Sequence, residues 1–383
     1  MKTTLALAVA WLFACASTTR AAEGRERVYF GTYGQAPNEG VFVADLDLAT
    51  GLVTEPHLAG RAVNASFVAL HPDHRHLYAV AEVSSRGGRR SGGVVAFSIV
   101  PETGMLRPIN EQISGGAGPC HLVVDKGGKN VLVANYEGGS VCVLPIDERG
   151  GLRPASSVIL HHGKGVNRER QEAPHAHSVN LDAANHFAFV ADLGVDKIFV
   201  YRFDPKAGKL TPNQPTAVTV TPGAGPRHFA FDATGRFAYA IDELDSTITA
   251  FWYDAENGTL SRIQVVSTLP KDFRGVNTAS EVVVHPSGKF VYGANRGHDS
   301  VALFSVDPAS GKLNPEGHEP TQGKTPRNIA VDPTGAYLLA ANQDSNSVVV
   351  FRIDAANGRL RPTGQKLRIH EPVCVRYLML GGS

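Results

Sequence analysis

From Val28 onward the chain is a succession of short apolar runs separated by turns rich in Gly, Asp and Asn. The runs carry many Val, Phe and Tyr and either alternate with polar residues or stay apolar, as strands buried on one or both faces do. No stretch sustains a helical period, so the pattern predicts an all-β protein.

One phrase recurs. An apolar strand ends in Asp or His, a tight turn follows, and a second apolar strand ends in Asn or Asp. It reads His121-Leu-Val-Val-Asp125 with Val131-Leu-Val-Ala-Asn135, and later Ile329-Ala-Val-Asp332 with Tyr337-Leu-Leu-Ala-Ala-Asn342. The residues before the turn, His71, Asp125, Asp182, Asp232, His285 and Asp332, are spaced 54, 57, 50, 53 and 47 apart. That period fits a four-stranded propeller blade and exceeds the roughly 34 residues of a helical repeat. A second mark, Asp-x-x-x-Gly, closes units at Asp47, Asp204, Asp254, Asp307 and Asp354, where Gly supplies the left-handed turn residue.

The ends complement each other. Val28-Tyr-Phe-Gly-Thr-Tyr33 matches the second strand of a blade, and Pro372-Val-Cys-Val-Arg-Tyr-Leu378 matches a first strand. The expectation is a seven-bladed β-propeller, its ring closed by the N-terminal strands plus the C-terminal strand. One domain then spans 23–383, although 383 residues alone suggest two or three. Residues 1–22 read instead as a signal peptide and short leader. Lys2 precedes the apolar run Leu5–Ala14, which is too short to span a bilayer, and cleavage is expected near residue 16 or 22. A lipid anchor at Cys15 ranks second because Phe13 is bulky for that cleavage box. The protein is therefore expected to be exported, periplasmic or extracellular, with no membrane span.

Composition narrows the partners. Lys and Arg total 37 against 36 Asp and Glu, a net charge of +1, which gives no field to gather nucleic acid or an anionic membrane. Beyond the leader, Cys120, Cys142 and Cys374 sit in apolar strand contexts and are odd in number, so a disulfide framework is not expected. No Cys/His metal cluster, phosphate loop or nucleophile elbow stands out, and neither a metal nor a cofactor is expected. A monomer is expected.

In a propeller the first strand of each blade lines the axis, and its start shares one face with the loop after the second strand. Aligning the repeats gives a first column Ser66, Cys120, His177, Arg227, Ser280, Arg327 and Val373. The next column is Phe67, His121, Ser178, His228, Glu281, Asn328 and Cys374, and the loop column is Tyr33, Glu82, Tyr136, Leu193, Glu243, Arg296 and Gln343. Titratable groups from many blades thus converge on one mouth, as a site for a polar, anionic ligand requires. The Asn/Asp column before the loop (Asn135, Asp192, Asp242, Asn295, Asn342) reads as loop caps. The longest spacing holds a polar insertion, Gly163 to Glu172, read as a lid carrying Lys164, Arg168 or Arg170 to the ligand. A plain surface loop is the alternative.

Asn167-Arg-Glu-Arg-Gln-Glu-Ala-Pro-His-Ala-His-Ser178, Gly225-Pro-Arg-His228 and Ala294-Asn-Arg-Gly297 resemble the lactonase family of seven-bladed propellers, over about Val28 to Leu380. The family includes 6-phosphogluconolactonases and a carboxy-muconate cyclase. The resemblance implies chemistry on a small acidic lactone at His177, Arg227, Glu243 and Arg296, all of which fall in the columns above. His177 or Glu243 would be the base, and Arg227 and Arg296 the oxyanion or anion binders. His121, His228, Glu281, Arg327, Arg168 and Arg170 are candidate substrate-binding residues, and His175 is read as structural. Hydrolysis of a sugar-acid lactone of the 6-phosphogluconolactonase type is the leading expectation. A carboxy-muconate-type cycloisomerase and a non-catalytic binding module are the alternatives.

Overall fold

The computed structural model describes residues 24–34, 36 and 39–380, so the proposed leader and Cys15 lie outside the described residues. Seven four-stranded antiparallel sheets form the ring. Blade one consists of Pro372–Met379, Arg25–Thr32, Gly40–Asp47 and His57–Arg61. The first strands of blades two to seven are Val68–Leu70, Pro119–Val124, Ala176–Leu181, Pro226–Phe231, Thr278–Val284 and Pro326–Val331. The only helical element among the described residues is the 3-10 turn Leu193–Val195. None of them forms a helix long and apolar enough to cross a membrane.

The expected closure is present. The C-terminal strand pairs with the N-terminal one in register, Phe30 opposite Val375 and Val28 opposite Tyr377. Val373, Val375 and Leu378 are buried by this pairing. Ending the chain at Glu371 should therefore expose a long strand edge together with the apolar face it covers. The truncated protein is expected to lose its cooperative thermal transition and to aggregate, as read by circular dichroism and gel filtration. A soluble monomer with the original transition would contradict this closure.

Blades adhere through apolar layers and a repeated hydroxyl contact. Between blades four and five, Phe189 stacks on Phe229 at 5.5 Å and meets Tyr253 edge-on. The buried Tyr29, Tyr78, Tyr239 and Tyr292 each donate to the carbonyl of a turn glycine in the following blade, Gly104, Gly150, Gly311 and Gly358. A buried phenol needs such an acceptor. Gly311 shows why the turn mark is Gly: its φ is +71°, and a Cβ there would lie 2.3 Å from the Phe237 ring. Cys120, Cys142 and Cys374 are free, buried strand residues.

Candidate active site

The first strands do not run regularly into the mouth. In six blades the pairing with the second strand skips a residue near its start: Val373, Cys120, His177, Arg227, Arg327, and in blade six the pair Ser280 and Glu281. These are β-bulges, which free a side chain from strict alternation and re-aim it. Consecutive residues such as Arg227 and His228 can therefore both face the axis, one above the other.

The upper layer forms a pocket lined by Tyr33, Ser66, Phe67, Glu82, Cys120, His177, Arg227, His228, Arg327 and Val373. Behind Arg227 lies Glu243, which accepts from three guanidinium groups. Arg227 Nε and Arg296 Nη2 each reach its Oε2 at 2.9 Å, and Arg170 Nη2 reaches Oε1 at 2.6 Å. Burial works against this carboxylate, but Arg296, Arg227 and Arg170 together outweigh it and hold it at about 2. Arg227 also donates through Nη1 to the Ser280 carbonyl, and Arg296 through Nη2 to the Ala279 carbonyl. Burial lowers Arg296 to about 10 against the pull of Glu243. It stays protonated at neutral pH.

Arg170 comes from the predicted lid. Its Nη2 also approaches the Tyr136 hydroxyl at 3.3 Å. The segment is pinned by the fully buried Gln171, whose Nε2 donates to the Leu193 carbonyl and to Asp196 Oδ1. His175 stacks on Tyr136 at 4.5 Å and contacts the Tyr136 carbonyl, in keeping with a structural role. Arg168 and Lys164 are exposed. Arg168 has no ion pair or side-chain hydrogen bond among the described residues. The insertion thus brings Arg170 to Glu243 and leaves Arg168 exposed.

His177 is buried at the pocket wall, its Nδ1 3.8 Å from Cys120 Sγ. Burial, then Arg227, His228 and Arg327, depress its pKa well below the usual imidazole value, so the ring is neutral at pH 7. The Cys120 thiol donates to the His177 carbonyl at 3.2 Å, and burial pushes its pKa up, which excludes a thiolate there. Across the pocket Arg327 Nη2 contacts the Tyr33 hydroxyl at 3.0 Å, and that hydroxyl bridges Glu82 at 3.0 Å. Ser66 also donates to Glu82.

The lower layer lies directly beneath the pocket. His121, His228 and Glu281 line a cavity with Asn180, Arg376 and Tyr377, residues toward the far ends of the first strands. His228 Nδ1 lies 2.7 Å from Glu281 Oε1, and Asn328 donates to Oε2 of the same carboxylate. Sequence alignment places His121 and Glu281 at the ligand mouth; the structure places them one layer deeper. His121 lies against Phe67 at 4.1 Å between ring centroids and Glu281 on His228, Phe67 and His228 both being residues of the upper pocket. The reason is the bulge, which sends adjacent residues up and down instead of together. Only His228, with Phe67, also belongs to the upper pocket and forms its floor.

The family description "Lactonase, 7-bladed beta-propeller" matches residues 27–377. The chain belongs to this lactonase family. A 6-phosphogluconolactonase of Bacillus subtilis is 38% identical over 301 residues, 79% of this chain and 83% of that protein. A 6-phosphogluconolactonase of Formosa agariphila is 35% identical over 296 residues, 76% of this chain and 82% of its own. The solved structure of the periplasmic gluconolactonase PpgL of Pseudomonas aeruginosa superimposes with a TM-score of 0.87 at 33% identity, covering 94% of this chain and all of that one.

For this lactonase-family propeller, reading the sequence passed over Tyr33, Ser66, Glu82 and Tyr136 as site residues. The signal was available. Tyr33, Glu82 and Tyr136 share the loop column of Glu243 and Arg296, but an aromatic or acid there is legible as functional only once its partner is known to reach it. The caps behave as read: Asn135 donates to the Ser114 carbonyl, Asn295 to Thr268, and Asp192 accepts from the Gly194 amide.

Proposed function

We propose that this propeller hydrolyses a sugar-acid lactone, with His177 as general base and Arg227 and Arg296 as the electropositive group for the developing oxyanion. The observation that carries this reading is the division of labour between the two candidate bases. His177 is neutral, and its Nε2 has no hydrogen-bond partner among the described residues. Glu243 spends both oxygens on Arg170, Arg227 and Arg296 and is held at about 2, which leaves it a poor proton acceptor. Water is deprotonated by His177 as its oxygen attacks the lactone carbonyl. The ring C–O bond then breaks, and the proton returns from His177 to the departing ring oxygen, giving the open hydroxy acid.

Four guanidinium groups, Arg170, Arg227, Arg296 and Arg327, face two carboxylates, Glu243 and Glu82. That excess of positive charge favours an anionic substrate. Burial raises the Glu82 pKa against the pull of Arg327 and the hydrogen bonds from Ser66 and Tyr33. Export is supported by Lys2 with the apolar run Leu5–Ala14, and by the likeness to a periplasmic gluconolactonase.

A pH-stat assay tests the activity with glucono-lactone and with its 6-phosphate. Acid release above the spontaneous rate is expected with at least one, and with a lower KM for the phosphorylated lactone. Saturable binding of sugar acids without turnover would overturn the hydrolase reading in favour of a binding module. Turnover only of a carboxy-muconate, followed by ultraviolet absorbance, would overturn it in favour of a cyclase.

A further inference from the structure

On the face opposite the mouth, the turn from the first to the second strand of blades two to seven repeats a six-residue frame. Its first, third and sixth residues are Asp125, Gly127, Asn130; Asp182, Ala184, Phe187; Asp232, Thr234, Phe237; His285, Ser287, Phe290; and Asp332, Thr334, Tyr337. The sixth residue is structural: Asn130, Phe187, Phe237, Phe290 and Tyr337 each cover a turn glycine of the adjoining blade. Blade two differs in residue type at the third and sixth positions together, with His71, Asp73 and His76, although His76 still covers Gly150 as its counterparts cover their glycines.

Their donor atoms meet. His71 Nδ1 lies 2.8 Å from Asp73 Oδ1, His76 Nδ1 lies 2.8 Å from Asp73 Oδ2, and the three ligand atoms all fall within 4.8 Å of one another. Neighbouring donors about 2.1 Å from a cation stand about 3.0 Å apart when it is six-coordinate and about 3.4 Å apart when it is tetrahedral, so these spacings need open by only about 0.2–0.6 Å. His71 is oriented as a ligand would be, since its Nε2 contacts the Gly128 carbonyl of blade three at 2.9 Å. A hydrogen donated there leaves the lone pair on Nδ1, the atom facing Asp73, and a carbonyl partner on the far nitrogen is the usual support of a metal-bound imidazole.

His285 shows what this position does without a metal set. Its Nε2 contacts the Gly335 carbonyl in the same way and its Nδ1 likewise accepts from the amide two residues on, at 3.1 Å from Ser287 N. But a hydroxyl, Ser287 Oγ at 2.8 Å, stands where blade two has the carboxylate. In blade two a carboxylate replaces the hydroxyl. The Asp73 amide reaches His71 Nδ1 at 3.1 Å, yet the carboxylate oxygen beside it has no proton to offer. Two acceptors then face each other, an arrangement that a cation between them satisfies. All three side chains are partly solvent-accessible, so an ion has access.

We infer that His71, Asp73 and His76 form a site for a first-row divalent transition metal such as Zn2+, clamping the blade-two hairpin turn at the end of the ring remote from the lactone pocket. The sister blades supply substitutions that the frame tolerates. In tag-free, chelator-stripped mature protein, calorimetric titration with Zn2+ should show one site per chain with Kd of about 10 μM or tighter. His76→Phe and Asp73→Thr should each weaken binding at least tenfold while lactone hydrolysis stays unchanged. Saturating Zn2+ should raise the melting temperature of the wild type and not of the variants. Unchanged Zn2+ affinity in both variants, or no binding by the wild type up to about 1 mM Zn2+, would overturn the assignment.

Discussion

His177→Ala is expected to lower kcat/KM for lactone hydrolysis by about 10²- to 10⁴-fold, the range for loss of a positioned general base. The fall should lie mainly in kcat, because the guanidinium groups that hold the substrate remain in place. Added imidazole should restore part of the rate to the variant, which a purely structural role for His177 does not predict. The pH profile offers a second readout. The folded pKa lies well below the ordinary imidazole value, so the ring stays unprotonated as pH falls through 6.5. Wild-type kcat/KM should therefore stay level from pH 8 to 6, where a base of ordinary pKa near 6.5 would already have lost more than half its activity. A midpoint at 6.5, or undiminished hydrolysis by His177→Ala, would remove His177 from the role of base.

Glu243→Gln is expected to damage stability as well as catalysis. It leaves Arg227, only 2% exposed, and Arg296 without their countercharge, and stranding a buried ion typically costs about 3–5 kcal/mol. Denaturant unfolding should show that loss at pH 7. The acid limb should change too. Glu243 goes from about 4.5 in the unfolded chain to about 2 in the ring, so its ionised form favours the folded state. That contribution is complete above about pH 4.5 and is lost as pH falls toward 2. Its size is about 3 kcal/mol. The Gln variant lacks this titration, so the stability gap between it and wild type should shrink across that window. A constant gap would mean that the cluster does not set the carboxylate's pKa.

Much of this architecture is legible in the chain because a ring of like blades repeats its errors and its rules together. The Asp-x-x-x-Gly turns and the complementary ends are enough to count blades and to place the closing strand. The mouth is legible to one layer. His177, Arg227, Arg327, Glu243 and Arg296 converge because their columns mark strand starts and loop tips, which topology fixes. His121 and Glu281 are misplaced by one layer, lying deeper against the pocket floor, because column alignment treats neighbouring residues as sharing a level. The bulge that separates them leaves no residue type of its own. Partnerships are the other gap. That Glu243 is enclosed by three arginines, one of them from the insertion, depends on distances between blades four, five and six, and no local pattern encodes these.

The skipped residues at the strand starts have a further consequence for how such a ring changes over time. A residue outside the ladder contributes its side chain to the axis without fixing the register of its sheet, so exchanging it leaves the strand pairing of that sheet intact. Val373, Cys120, His177, Arg227 and Arg327 thus form sockets around one rim, of which uncharged Val373 and Cys120 are the freest to change, whereas Arg227 is bound to Glu243 and changes only with it. New substrate preferences are accessible one blade at a time, on a scaffold that need not be rebuilt.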